Sequence, residues 1–187
     1  MEGMSMKGDE ELGKFISLIL RHKPECIGIH LDENGWANVE DLINGINRAG
    51  KIINREILNR IVVENNKKRY SYNEDGTKIR ANQGHSIKVD VNLKEQVPPP
   101  ILYHGTATRF MESIKIKGIL KGNRQHVHLS QELETAFNVG KRHGKPIVLV
   151  IDTKAMIEAG YTFYLSENNV WLCENISWHF IINIIEN

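Results

Sequence analysis

Residues with phosphate and nucleotide chemistry recur at a few places along this chain. Arg21-His22, Arg69 and Arg124 supply cations, while Tyr103-His104-Gly105-Thr106 and His126-Val127-His128-Leu129-Ser130 supply imidazoles, hydroxyls and a glycine. A guanidinium offers a planar fork of donors that matches phosphate oxygens, and a protonated histidine adds another. Each place also has an ordinary explanation. Arg21-His22 sits where a helix should end, and basic residues there complement the helix dipole. Arg69 follows Lys67-Lys68 as in a solvated basic turn, and Arg124 lies in a loop. His104-Gly105-Thr106 is equally a strand-to-helix turn, with glycine for backbone freedom and threonine as a cap. His126 and His128 would share one face of a strand. No third ligand of suitable spacing lies nearby, which argues against a metal pair.

Composition narrows the setting. The 187 residues suffice for one large domain or two small ones. The apolar fraction of 41% and charged fraction of 25% are those of a soluble globular protein. No apolar run approaches the roughly 20 residues that span a bilayer. Met1 to Glu11, acidic and glycine-containing, reads as a frayed tail and not as a signal peptide. Cys26 and Cys173 are too few and too far apart for a disulfide framework or a cysteine zinc site, so a reducing cytoplasm is expected. The net charge is +1, with 15 Lys/Arg against 15 Asp/Glu before Pro98 and 9 against 8 from there on. No global field draws the chain to nucleic acid. A few placed arginines must bind any phosphate, which suits a local anion better than a long backbone.

The elements that must position these residues fall in two groups. Pro98-Pro99-Pro100 stiffens the chain and bars a helix or a central strand. The expectation is a lobe over 1–93, a linker over 94–100 and a second lobe over 101–187. In the first, Asp9 is expected to cap a helix with Leu12, Phe15, Ile16, Ile19 and Leu20 on one face, ending near Lys23-Pro24. Asn38 and Asn54 precede two more apolar-periodic stretches. Arg69 to Tyr72, a Glu74-Asp75-Gly76 turn and Thr77 to Ala81 read as a β-hairpin. Three helices and a two-stranded wing is the order of a winged-helix domain, a frequent nucleic-acid module. The second lobe reads as strands near 101–104, 127–130, 146–151, 161–165, 170–173 and 178–185, with helices near 109–117 and 131–143. No Gly-x-Gly-x-x-Gly follows a strand, which speaks against a Rossmann site. No strand–Gly-x-Ser-x-Gly–helix pattern supports a serine hydrolase.

Ile79-Arg80-Ala81-Asn82-Gln83-Gly84-His85-Ser86 has too few apolar residues to be expected in a core and reads as a polar loop. With Arg21-His22, His104-Gly105-Thr106 and His126 to Ser130 in the same order, it makes the chain resemble the NAD-dependent RNA (tRNA) 2′-phosphotransferase family. The resemblance runs from about Leu12 to Phe180. It implies an α+β fold, with a winged-helix-like lobe before an ADP-ribosyltransferase-like mixed β lobe. It implies Arg21, His22, Arg69 and Arg124 as catalytic phosphate ligands drawn from both lobes, without a metal. Arg80, in the same wing, is a weaker candidate. It also implies NAD contacts from His104, the Gly105 backbone, Thr106, His128, Ser130, Thr135, Arg142 and Val170.

Many ADP-ribosyltransferases carry a glutamate where Val170 stands, and Glu167 and Glu174 lie close enough in sequence to replace it. Gln83 and His85 are expected to hydrogen-bond across the lobe interface and orient the arginines. Trp36, Tyr70 and Tyr72 could stack bases, although core packing is commoner. The implied reaction moves an internal 2′-phosphate of a tRNA-like RNA to ADP-ribose in two steps, by a monomer. The rivals are capping of terminal phosphates by ADP-ribosylation and a non-catalytic, NAD-responsive RNA binder.

Overall fold

In the computed structural model, the structure describes residues 2–65 and 67–186, with side chains from Gly8 onward. It is a mixed α/β chain with six α-helices and several small antiparallel sheets among the described residues. Two compact units divide after Asn92. No described helix is long and apolar enough to cross a membrane.

In the first unit, α1 (Glu2–Arg21) stops one turn before Pro24, as the proline requires. Asp9 lies inside α1 and caps nothing. Its carboxylate instead takes a bidentate pair from Arg60, at 2.6 and 3.0 Å. Asn38 and Asn54 do cap α2 (Val39–Arg48) and α3 (Arg55–Glu64), accepting from the amides of Asp41 and Ile57 at 3.1 and 2.8 Å. Ile16, Ile19 and Leu20 of α1 pack against Leu42 and Ile46 of α2 and Leu58 and Ile61 of α3 in one core. The expected hairpin is β2 (Tyr70–Tyr72) with β3 (Lys78–Ala81), and a third strand, β1 (Ala37–Asn38), pairs with β3. Cys26, in the turn after α1, is exposed.

The second unit starts earlier than the prolines suggest. Lys94–Glu95, placed in the expected linker, form β4 and pair with β8 (Tyr164–Leu165). The remaining strands are β5 (Ile101–Ala107), β6 (Val127–Leu129), β7 (Pro146–Asp152), β9 (Trp171–Cys173) and β10 (Ile181–Glu186). They build a three-stranded sheet, β10-β7-β5, and a four-stranded one, β4-β8-β9-β6. Helices α4 (Met111–Lys117), α5 (Leu133–Gly140) and α6 (Thr153–Glu158) complete the unit; α6 was not expected and is capped by Asp152. The core gathers Leu102, Leu129, Leu149, Ile151, Phe163 and Trp171. Cys173 belongs to it, and burial pushes its thiol up to about 12.

Helix α5 lies unusually close to β5. A Cβ on Gly105 would stand 1.8 Å from the Ala136 carbonyl oxygen, and one on Gly140 would stand 2.5 Å from the Thr106 carbonyl oxygen. Both obstacles are main chain and cannot swing aside. Gly105 is therefore required by strand–helix packing, whatever else it does. Gly105→Ala should lower stability by about 3 kcal/mol, as overpacking of a close contact does. Adding Ala136→Gly should not restore it, because the Ala136 methyl is not the obstacle. Urea unfolding of the single and double variants checks this.

Candidate functional site

In the first unit the site is built on the end of α1. The amides of His22 and Lys23 both close on the Leu18 carbonyl, so the helix finishes with Arg21 and His22 at its tip. Ser86 holds that tip in place: its amide donates to the Arg21 carbonyl at 3.0 Å, and its Oγ lies 2.8 Å from His22 Nδ1. Gly84, at φ +88°, lays its backbone against the Arg21 side chain; a Cβ there would stand 3.6 Å from Nε and Cζ. A side chain would be strained at that φ.

Contrary to the expectation of a polar loop outside the core, residues 79–85 are buried throughout. Arg80 is only 7% exposed, its guanidinium 4.4 Å over the Trp36 ring. His85 is 1% exposed, and burial followed by the charges of Arg21, His22 and Arg80 drives its pKa down to about 4. His85 Nε2 and Gln83 Oε1 have no hydrogen-bond partner among the described residues.

Arg69 enters from the start of β2. Asn82 secures it by three bonds: its amide donates to the Arg69 carbonyl at 2.9 Å, its Nδ2 donates to the Lys68 carbonyl at 2.6 Å, and its Oδ1 accepts from Ser71 at 2.8 Å. Lys68 sits at φ 41°, a conformation costly for a lysine and held by these bonds. The charges of Arg21 and Arg69 both act on the buried Tyr70 hydroxyl, which bonds Ser17 and the Gly13 carbonyl. Burial raises the Tyr70 pKa, and Ser17 and the two arginines oppose it. Arg21, His22, Arg69 and Arg80 thus surround one region of the first unit. Sequence reasoning gave no separate role to Asn82 or Ser86, whose bonds act on residues far away in the chain.

In the second unit, Tyr103 and Ser130 exchange both main-chain hydrogen bonds at 2.8 Å. This bridge sets the two histidine-bearing segments side by side. His104 Nδ1 then donates to the His128 carbonyl at 3.0 Å, which leaves Nε2 as an acceptor in the neutral ring. Burial is the main cause of a lowered His104 pKa; the bond to His128 opposes it, and the His143 and Arg124 charges add to it. Arg124 is exposed, with Nη1 3.4 Å from His128 Nδ1.

Thr106 is no helix cap, since β5 continues to Ala107 and buries it. Alternation along β5 turns the Gly105 N–H and C=O to the edge where Tyr103 meets Ser130, and β5 is the last strand of its sheet there.

The other residues lie further out. Thr135 on α5 and Arg142 just past it are exposed. Val170 closes the turn before β9, its carbonyl accepting from the amide and Oγ of Ser166. Glu167 is exposed in that turn. Glu174 is held by Lys121, Nζ to Oε2 at 2.7 Å. The His126 ring leans on Tyr164, centroids 5.6 Å apart. No group of three or more His, Cys, Asp or Glu able to hold a metal occurs among the described residues.

The buried imidazole of His85 gives acid sensitivity a definite sign. In the unfolded chain it binds its proton near pH 6.5, in the folded chain near 4. Between these values the unfolded state holds more protons, so stability is full above about pH 6.5 and falls as pH drops toward 4. The full loss is about 3 kcal/mol. Comparing urea unfolding at about pH 7 and about pH 4, the wild type should lose that much more than His85→Asn. Equal losses would remove His85 as the cause.

Residues 7–175 match the model of the RNA 2'-phosphotransferase, Tpt1 / KptA family. A probable RNA 2′-phosphotransferase of Fusobacterium nucleatum subsp. nucleatum is 63% identical, over 94% of this chain and 99% of its own length. Proteins of the same description from Flavobacterium johnsoniae and Acaryochloris marina are 53% and 49% identical, over 89% and 92% of this chain and 92% and 96% of their own lengths. The chain belongs to the RNA 2′-phosphotransferase family.

Proposed function

We propose that this chain removes an internal 2′-phosphate from RNA, with NAD⁺ as co-substrate. The family match along residues 7–175 carries the reading. With it goes a finer account of the fold, a winged-helix-like first unit and an ADP-ribosyltransferase-like second. NAD⁺ supplies the ADP-ribosyl acceptor, so the products are RNA with a 2′-hydroxyl, nicotinamide and ADP-ribose 1″,2″-cyclic phosphate.

The second unit has groups that suit the dinucleotide. A neutral His104 with its free Nε2 lone pair accepts a hydrogen bond from a ribose hydroxyl. The Gly105 N–H and C=O, turned to the open edge of β5, complement a carboxamide, which is one donor and one acceptor. Thr106 shapes that edge from beneath. His128, Ser130, Thr135 and Arg142 border the dinucleotide, and Val170 borders it without an acid. A phosphate nucleophile is already anionic and needs no carboxylate to deprotonate it.

Arg21, His22 and Arg69 bind the RNA phosphate in this reading, and Arg124 acts on the same phosphoryl group. Their donors orient the phosphate oxygen for attack on the ribose carbon. In the second step the ribose 2″-hydroxyl attacks phosphorus and the RNA 2′-oxygen leaves as its hydroxyl, and the same donors stabilise the charge that grows on the phosphoryl oxygens. Cationic groups that converge on one phosphate repel unless its negative charge neutralises them.

The purified chain, given NAD⁺ and an oligoribonucleotide with one internal 2′-phosphate, should release nicotinamide and convert the RNA to its 2′-hydroxyl form. A stable ADP-ribosyl cap on a terminal phosphate would favour a capping enzyme. Ligand-dependent RNA affinity with no nicotinamide release would favour a non-catalytic binder. Arg69→Ala and Arg124→Ala should lower kcat by about 100-fold or more, and ADP-ribosylated RNA should accumulate. Full turnover by these variants at saturating RNA would refute their assigned role.

A further inference from the structure

The second unit contains a cavity of about 370 Å³ lined by none of the residues given a role in the proposed reaction. It lies where the loop after α6 faces the outer ends of β6, β8 and β9, and its walls include His126, Tyr161, Tyr164 and Glu174. Its volume is at the small end of ligand-binding clefts. Strand pairing explains the composition of the wall. Tyr164 pairs with Leu172, and Leu172 with His128, so His128 and Tyr164 share one sheet face. His126 and Glu174 flank the next pair, Val127 and Cys173.

The walls are aromatic and held from behind. The His126 and Tyr164 rings both line the cavity, tilted at 58° to each other. Tyr161 is seated edge-on against Phe180, centroids 5.3 Å apart, and its amide bonds the Met156 carbonyl at 3.0 Å. Gly160, at φ +91°, turns the loop over the site. Burial lowers the His126 pKa against the opposing charge of Glu174, so the ring serves as a neutral aromatic plate. The one carboxylate, Glu174, is steadied through Oε2 by Lys121 at 2.7 Å, and Lys121 is itself tied to Asn175 at 2.8 Å. That leaves Oε1 to accept from a ligand.

We propose that this cavity is a nucleobase subsite, in which a base with an exocyclic amino group stacks on Tyr164, beside the tilted His126 ring, and donates to Glu174. Every base has a face for stacking, but only adenine, cytosine and guanine have an amino donor. Uracil turns carbonyl oxygens toward the carboxylate and is disfavoured. The base has two possible sources, the RNA nucleoside beside the 2′-phosphate or the adenine of NAD⁺. His126 is two residues from Arg124, at most about 7 Å along the chain, so a nucleotide held at Arg124 reaches the cavity. The choice of these two sources rests on the proposed function; the subsite itself does not.

Two measurements test the proposal. First, adenosine alone at millimolar concentration should shift the ring-proton resonances of His126 in the wild type and in Tyr164→Phe, but not in Tyr164→Ala. This needs neither phosphate recognition nor turnover. Second, calorimetric titration compares ADP-ribose with 2′-phosphorylated trinucleotides whose flanking base is A, C or U. If RNA fills the site, the A and C ligands bind about 5- to 50-fold tighter than U. Glu174→Gln removes the preference, since an amide can donate as well as accept, and ADP-ribose affinity is unchanged. If the dinucleotide fills it, the three RNAs bind alike, and Tyr164→Ala weakens ADP-ribose by a similar factor.

Variants are compared only where their melting temperatures match the wild type, with Tyr164→Phe retaining the stack if Tyr164→Ala does not fold. No adenosine shift at His126, together with unchanged affinities for every ligand, overturns the subsite. Loss of the subsite with normal 2′-phosphate turnover leaves the proposed function intact. An adenosine shift without any turnover does the reverse.

Discussion

The paired main-chain bonds between Tyr103 and Ser130 are the constraint on which the second unit turns. They join a three-stranded sheet to a four-stranded one through a single bridge. Because backbone positions are thereby set, the His128 carbonyl lies within reach of His104 and selects the tautomer of that ring. From the same bridge follows the open stretch of β5 beyond it, where Gly105 presents its peptide groups. On the other side, α5 comes so near to β5 that glycine is required twice. In the proposed reading, the chemistry offered to the dinucleotide is thus mostly main chain and one oriented imidazole. Such groups are held without the entropy cost of ordering long side chains.

The first unit solves the opposite problem, holding cations together in a small space. A buried polar strip from Arg80 to His85 runs alongside the tip of α1. Asn82 is its keystone: one side chain and one amide fix the backbone at Lys68 and Arg69. His85 stays uncharged among cations and so adds no further repulsion. A polar strip of this kind would be unstable if it served packing alone, since buried polar groups cost free energy unless they are paired.

Local chemistry was legible in the sequence, and distant chemistry was not. Asn38, Asn54 and Pro24 act within one turn of themselves, and each does what its type implies. Asp9 shows the failure: a carboxylate suited to capping a helix is as well suited to an arginine 51 positions away. Strands β1 and β4, of two residues each, have no periodicity to read. Residues 79–85 looked solvated because polarity ordinarily means exposure, and only tertiary contacts reveal that Trp36 and Arg21 enclose them. Gly105 reads locally as backbone freedom for a turn, whereas in the fold it lies inside β5 and makes room for α5. The motifs flanking the site stood out in order along the chain, but the Tyr103–Ser130 bridge that unites them left no mark in either segment.

The contrast between the two cysteines has a practical side. Cys173 sits in the core with a thiol that gives up its proton only near pH 12, so alkylating and oxidising reagents find almost no thiolate there. Cys26 stands on the surface in the 3₁₀ turn from Pro24 to Ile27, four residues past His22. The unaltered chain therefore accepts a maleimide dye at one place only, beside the tip of α1. Fluorescence from that position follows what happens at Arg21 and His22 without any engineered substitution.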